Sequence, residues 1–212
     1  MRLNILSIVL TLAGLSAAAP SLSFEIERQE SFTSNSIEPE ILRIISTADI
    51  ELFAPLITGF QASNPKVTVN YHEVSSTELM RALQDEKAPY DIAVSSAMDL
   101  QTKLANDGLA LAHSSVATTL LPGWGKWHDY VFAFTQEPAT IVISTKDFGD
   151  LPLPKTRQDL ISILRDHPDR FRGRVGTYDV RSSGLGYLFA TQDARTSETF
   201  WRLAEVMGNL DI

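Results

Sequence analysis

Between Ile41 and Met207, short β-branched runs alternate with segments whose apolar residues fall three or four apart. Period-2 and period-3.6 signals taking turns restrict a chain to the α/β class. Ile50, Phe53, Ile57 and Phe60 predict a helix, capped by Thr47 or Asp49 and stopped at Ser63-Asn64-Pro65. Val67, Val69 and Tyr71 alternate with Thr68, Asn70 and His72, the pattern of a strand with one buried face. Ser75-x-x-Glu78 reads as a capping box, followed by a helical stripe of Leu79, Met80 and Leu83 reaching about Lys87. Asp91 to Val94 is a short buried strand, and Met98, Leu100 and Leu104 form a helix ending at Gly108. The order β-α-β-α-β, with right-handed crossovers, gives a parallel sheet covered on both faces.

The pattern breaks between Leu120 and Tyr130, where Pro122, Gly123 and Gly125 lie among Trp124, Trp127 and Tyr130. Strand character returns at Phe132 and Phe134 and again at Ile141 to Ile143, which places a first lobe at 41–134 and a crossover at 135–140. A second lobe, 141–212, holds Thr156-x-x-Asp159 as a cap for a helix ending by His167-Pro168. It continues with a strand at Arg174 to Tyr178 and helices at Gly184 to Gln192 and Ser197 to Met207. Phe24 to Glu40 is polar, acidic and without either period, and is expected to be a flexible leader. Ahead of it, Arg2 and the apolar stretch Ile5 to Leu15 make residues 1–23 a signal peptide, cut after Ala18 or after Ser23.

Three of the apolar runs pass into hydroxyl residues and then into a helix. Ile41 to Ile45 leads to Ser46-Thr47, Asp91 to Val94 to Ser95-Ser96, and Arg174 to Tyr178 to Ser182-Ser183-Gly184. Such strand-to-helix corners are where α/β folds bind ligands, because the first helical N–H groups lack internal partners and the dipole there is positive. A single serine at these positions is a cap contributing about 1 kcal/mol. A pair lets one hydroxyl cap while the other faces a cleft, so Ser46, Thr47, Ser95, Ser96, Ser182, Ser183 and Gly184 are the candidate ligand contacts, with Arg181 as a secondary partner for an anion. Asp49 and Asp179 work against an anionic ligand, and Trp124, Trp127 and Tyr130 are expected to pack or brace the crossover rather than wall a cation site.

Other functions are disfavoured by what the chain lacks. It has no cysteine, which removes disulfides, thiolate metal sites, a cysteine nucleophile and a lipid-bearing cysteine. His72, His113, His128 and His167 are too dispersed for a paired metal motif, so neither a metal nor another cofactor is expected. The net charge of -8, one unit lower once Arg2 is lost, argues against nucleic acid as a partner. A secreted hydrolase using Ser182 or Ser183 lacks both the Gly-x-Ser-x-Gly elbow and a later histidine, so the chain is not expected to be an enzyme. An exported chain with three such corners reads as a receptor for a small solute.

Leu42 to Asp49, Tyr90 to Ser96, and Gly173 to Gly176 leading to Ser182-Ser183-Gly184 resemble the extracellular solute-binding proteins of ABC importers, in the group of ferric-iron, polyamine and small-anion receptors. The resemblance implies a type II periplasmic-binding fold: two α/β lobes closing on a solute, with the first two corners on one lobe and Ser182-Ser183 on the other. It also implies a monomer in the periplasm with an ABC importer permease as partner; a sensor-kinase input protein of the same fold is the alternative. Iron receptors of the group rely on tyrosines late in the chain, which an end at Ile212 leaves unmatched. Two lobes of about 150 residues each need more chain than this, so the sequence is expected to be a truncated receptor with apolar surface exposed in the second lobe.

Overall fold

The computed structural model describes residues 24–136 and 138–210; the signal-peptide expectation for 1–23 lies outside them. The first half is built on one four-stranded sheet of order β1-β3-β2-β4, from β1 (Arg28–Phe32), β2 (Glu40–Ser46), β3 (Val67–Glu73) and β4 (Ile92–Val94). β2 runs parallel to both β3 and β4, as the crossover argument requires. Helix α1 (Ile50–Ser63) covers one face, its Ile50 and Ile57 packing with Ile44, Val69 and Tyr71 of the sheet. On the other face lie α2 (Ser76–Met80), its continuation as a π turn over Arg81–Asp85, and α3 (Met98–Asn106). There Ile45, Val74, Leu79, Ala82 and Leu104 make the core. Ile44 and Ile45 thus serve opposite faces, the period of 2 that a doubly covered strand needs.

Phe24 to Glu40 is not a free leader. Arg28–Phe32 pairs antiparallel with β3, so the sheet is mixed rather than wholly parallel. Phe24 is buried in the α2–α3 core, and the Glu25 N–H donates to the Glu78 carboxylate at 2.8 Å. Four of the five β1 residues are exposed, so backbone pairing rather than side-chain burial holds this edge, and no alternation marks it in the sequence. The same bond alters the expected capping box: Ser75 Oγ accepts the Glu78 N–H at 3.2 Å, but the Glu78 carboxylate serves Glu25 and Arg81.

Helix α4 (Val116–Thr119) and a 3₁₀ turn, Gly123–Gly125, lead to a two-stranded hairpin of β5 (Lys126–Trp127) and β6 (Val131–Phe132). Its turn has positive φ at both His128 (47°) and Asp129 (57°), the geometry that matches the twist of the flanking strands. Contrary to the packing expectation, Trp124, Trp127 and Tyr130 are exposed. Trp127 Nε1 instead donates to Asn106 Oδ1 at 3.0 Å, and Phe134 meets Phe53 edge-on.

The second half is helical among the described residues. Helices α5 (Thr145–Phe148), α6 (Arg157–Asp166), α7 (Pro168–Phe171) and α9 (Phe200–Gly208) surround Phe148, Leu160, Ile161, Leu164, Phe171, Val206 and Leu210. Thr156 and Asp159 form the reciprocal capping box expected for α6. Helix α8 (Gly184–Thr196) is tied to α6 by Arg157 and Asp193 at 2.7 Å. The strands expected at Ile141 to Ile143 and at Arg174 to Tyr178 are irregular segments. A strand needs a ladder partner, and neither segment pairs with one among the described residues. Ile141, Val142, Tyr178, Val180, Tyr187 and Trp201 stand exposed here.

Candidate functional site

Two of the three corners meet within the first half. β2 and β4 are neighbours, so both end at the same edge of the sheet, and the Thr47 N–H donates to the Val94 carbonyl at 3.0 Å. Thr47 Oγ1 donates to Ser95 Oγ at 3.5 Å and accepts the Ser96 N–H at 3.4 Å. Ser95 Oγ also accepts the Ala97 N–H at 3.1 Å, ahead of α3. Ser46 is fully buried and its hydroxyl accepts the Ala48 N–H at 2.9 Å. At this corner the accessible hydroxyls are therefore those of half-buried Thr47 and Ser95 and exposed Ser96, while Ser46 holds the turn.

The third corner comes from α8 and reaches the first two through α2 and Ala97. Thr77 Oγ1 donates to the Ser182 carbonyl at 3.4 Å. A Cβ on Gly184 would stand 2.8 Å from Leu100 Cδ1, 2.9 Å from Ser76 Cβ and 3.0 Å from Ala97 Cβ, so the absence of a side chain lets the α8 backbone close on α2 and α3. Ser183 caps α8, its Oγ accepting the Gly186 N–H at 3.0 Å. Ser182 is exposed, and its N–H and that of Ser183 both donate to the Asp179 carbonyl.

Arg181 is not a free anion-binding group. Its Nε and Nη2 fork onto the Asp179 carboxylate, with Nη2 to Oδ2 at 2.7 Å, while the side chain stays largely exposed. Hydrogen bonds from the Arg181 guanidinium first, then from its backbone N–H, hold the Asp179 carboxyl down to about 2. An unfolded aspartate titrates near ~3.9, so the folded value is the lower one. The turn's stabilisation is then complete above that range and lost as pH falls through about 2. A carboxyl-carbon NMR titration should find Asp179 ionised to about pH 2 and returned toward the ordinary range in Arg181→Gln; an ordinary midpoint in the unmodified protein would refute the fork.

Three groups at these corners escaped the sequence reading. Ser76 and Thr77 start α2 and form the surface on which α8 sits, a long-range contact with no local signal. Glu73 caps α1 from β3: its Oε2 accepts the Ile50 N–H at 3.0 Å, whereas Asp49 at the N-cap position makes no side-chain cap bond. The strand alternation carried this signal, since Glu73 shares a face with Val69 and Tyr71 beneath α1. Among the described residues no group of three His, Cys, Asp or Glu is set to hold a metal ion, and no helix is long and apolar enough to cross a membrane.

The model of the bacterial extracellular solute-binding protein family matches residues 46–211. Among solved structures, the crystal structure of the substrate binding protein of an ABC transporter from Agrobacterium tumefaciens is 32% identical and superposes with a TM-score of 0.82. The match covers 87% of this chain and 56% of that one, so the present sequence spans little more than half the length of that protein. No curated protein matches it significantly. The likeness shows the fold expected from the sequence, the α/β fold of periplasmic-binding proteins.

Proposed function

As the chain belongs to the bacterial extracellular solute-binding proteins, we propose that it captures a small solute at the hydroxyl-bearing helix starts and delivers it to the permease of an ABC importer. It acts as a binding protein in the periplasm rather than as an enzyme, exported by residues 1–23 and working as a monomer. Within the family, the resemblance of Leu42 to Asp49, Tyr90 to Ser96 and Gly173 to Gly176 with Ser182 to Gly184 supports the group of ferric-iron, polyamine and small-anion receptors. Residues 41–134, with the β1 segment that pairs onto their sheet, and residues 141–212 supply the two lobes, with 135–140 as the hinge. A solute bridging them favours the closed form by its differential affinity for that form.

The observation that carries this reading is the approach of the α8 start to the first half, at Thr77–Ser182 and at Gly184 against Ser76 and Ala97. It supports a site to which both lobes contribute hydroxyls. The solute contacts are Thr47, Ser95, Ser96, Ser182 and Ser183.

Calorimetry with a panel of small polar solutes, followed by Ser95→Ala, Ser96→Ala and Ser183→Ala, tests the cleft. Each lost hydrogen bond is worth roughly 0.5–1.5 kcal/mol, or about two- to tenfold in Kd. Ser183 caps α8 and Ser95 bonds the Ala97 N–H in the turn ahead of α3, so ligand-free melting separates their structural cost, about 1 kcal/mol, from binding. Ser96 is exposed and its side chain caps nothing; its variant should lose affinity without losing stability. Unchanged affinity in all three variants would overturn the assignment.

A further inference from the structure

Of the helix starts in the first half, that of α1 is already taken by the protein's own negative charge. The Ile50 N–H, first in the helix, donates to Glu73 Oε2 at 3.0 Å, and the Leu52 and Phe53 N–H groups both turn to the Asp49 carbonyl. Glu73 is held there by construction. It is the last residue of β3, on the face beneath α1, and its backbone is clamped by the Glu27 N–H donating to its carbonyl at 2.9 Å.

The neighbouring charges do not cancel it. Arg28 faces Glu73 across the β1–β3 ladder, but its guanidinium bonds the Glu51 carboxylate at 2.6 Å. Asp49 adds a second carboxylate with no cap bond of its own. The Tyr71 hydroxyl senses both: burial raises it first, a bond from Ser46 opposes, and the charges of Glu73 and Asp49 raise it further. At the third corner the Arg181 guanidinium is spent on Asp179.

A positive helix start with open N–H groups attracts oxyanions. Here that place holds a carboxylate, so an arriving oxyanion meets a like charge at hydrogen-bonding range and finds the first N–H engaged. We propose that Glu73 is a specificity determinant that closes the α1 corner to anionic solutes and leaves it to neutral or cationic ones. The solute-selecting role rests on the proposed function; the exclusion of anions from α1 does not.

The test uses sulfate as probe on the ¹⁵N-labelled full chain, at constant ionic strength set with chloride. In the unmodified protein the Ile50 and Glu51 amide resonances should not move with sulfate. In Glu73→Ala they should titrate, with apparent affinity at least tenfold above the unmodified protein, and in Glu73→Gln more weakly, because the neutral amide is a displaceable acceptor. If Glu73→Ala does not fold, Glu73→Gln decides alone: movement at Ile50 supports the proposal and silence overturns it. Sulfate-dependent movement at Ile50 in the unmodified protein also overturns it. No physiological solute enters the readout, so failure of the receptor reading, seen as no response to any solute in calorimetry, is a separate result.

Discussion

Replacing Tyr71 by alanine is expected to remove about 3–5 kcal/mol of stability, the range for truncating a buried aromatic. Tyr71 is fully buried at the centre of the core between the sheet and α1, with its ring 5.3 Å from that of Phe53. Its hydroxyl donates to the Ala48 carbonyl at 2.7 Å, in the turn between β2 and α1. The residue therefore has two roles that Tyr71→Phe separates. Phenylalanine keeps the ring but leaves the Ala48 carbonyl without this partner, for about 1–3 kcal/mol. Urea unfolding should show both losses as lower midpoints at unchanged slope, with alanine the larger. Because the turn also carries Thr47, amide shifts near Thr47 and Ser96 should change in Tyr71→Phe. Losses below 1 kcal/mol in both variants would mean that α1 is not packed on Tyr71 as described.

How much of this could be read beforehand follows from how local each cause is. The α1 stripe of Ile50, Phe53 and Ile57, the β3 alternation and the Thr156–Asp159 box are local patterns, and they appear where the sequence puts them. So do the three hydroxyl pairs, each just ahead of a helix or turn. The edge strand β1 was not legible, because Arg28 to Ser31 point to solvent and only backbone pairing with Glu30↔Tyr71 and its neighbours defines it. The opposite error occurred at Arg174 to Tyr178 and Ile141 to Ile143, whose β-branched residues suit strands. Propensity describes a residue's fit to a pleated surface but does not supply a neighbour.

The candidate site shows the same division. Pairing of β2 with β4 brings Thr47 to Ser95, and this follows from the parallel topology alone. The partner of Arg181 lies only two residues away, at Asp179, within the same turn. Glu73 and Ser76 act across the tertiary structure. Alternation places Glu73 on the correct face, but only the position of α1 turns that face into a cap.

Gly184→Val should undock α8 from the first half. Gly184 is the first residue of α8, and two of the three atoms nearest an added Cβ, Ser76 Cβ at 2.9 Å and Ala97 Cβ at 3.0 Å, are fixed to the backbones of other elements. Only the third, Leu100 Cδ1, can swing away. Alanine already requires α2 or the start of α3 to shift, and valine adds two methyl groups in the same space. Overpacking of this kind costs about 1–3 kcal/mol when the contact is retained. The chain has a cheaper course, because Gly184 and Gly186 are the only buried residues of α8, so separating the helix exposes little else. Melting should therefore fall less than the steric clash alone implies, while the Thr77 Oγ1–Ser182 carbonyl bond is lost and the Ser76, Thr77 and Ala97 amide resonances move toward solvent-exposed values. Any solute held by both lobes should bind at least tenfold more weakly. An unchanged melt, with unmoved Ser76 and Ala97 resonances, would show that α8 does not rest on this surface, and the joining of the three corners would fall with it.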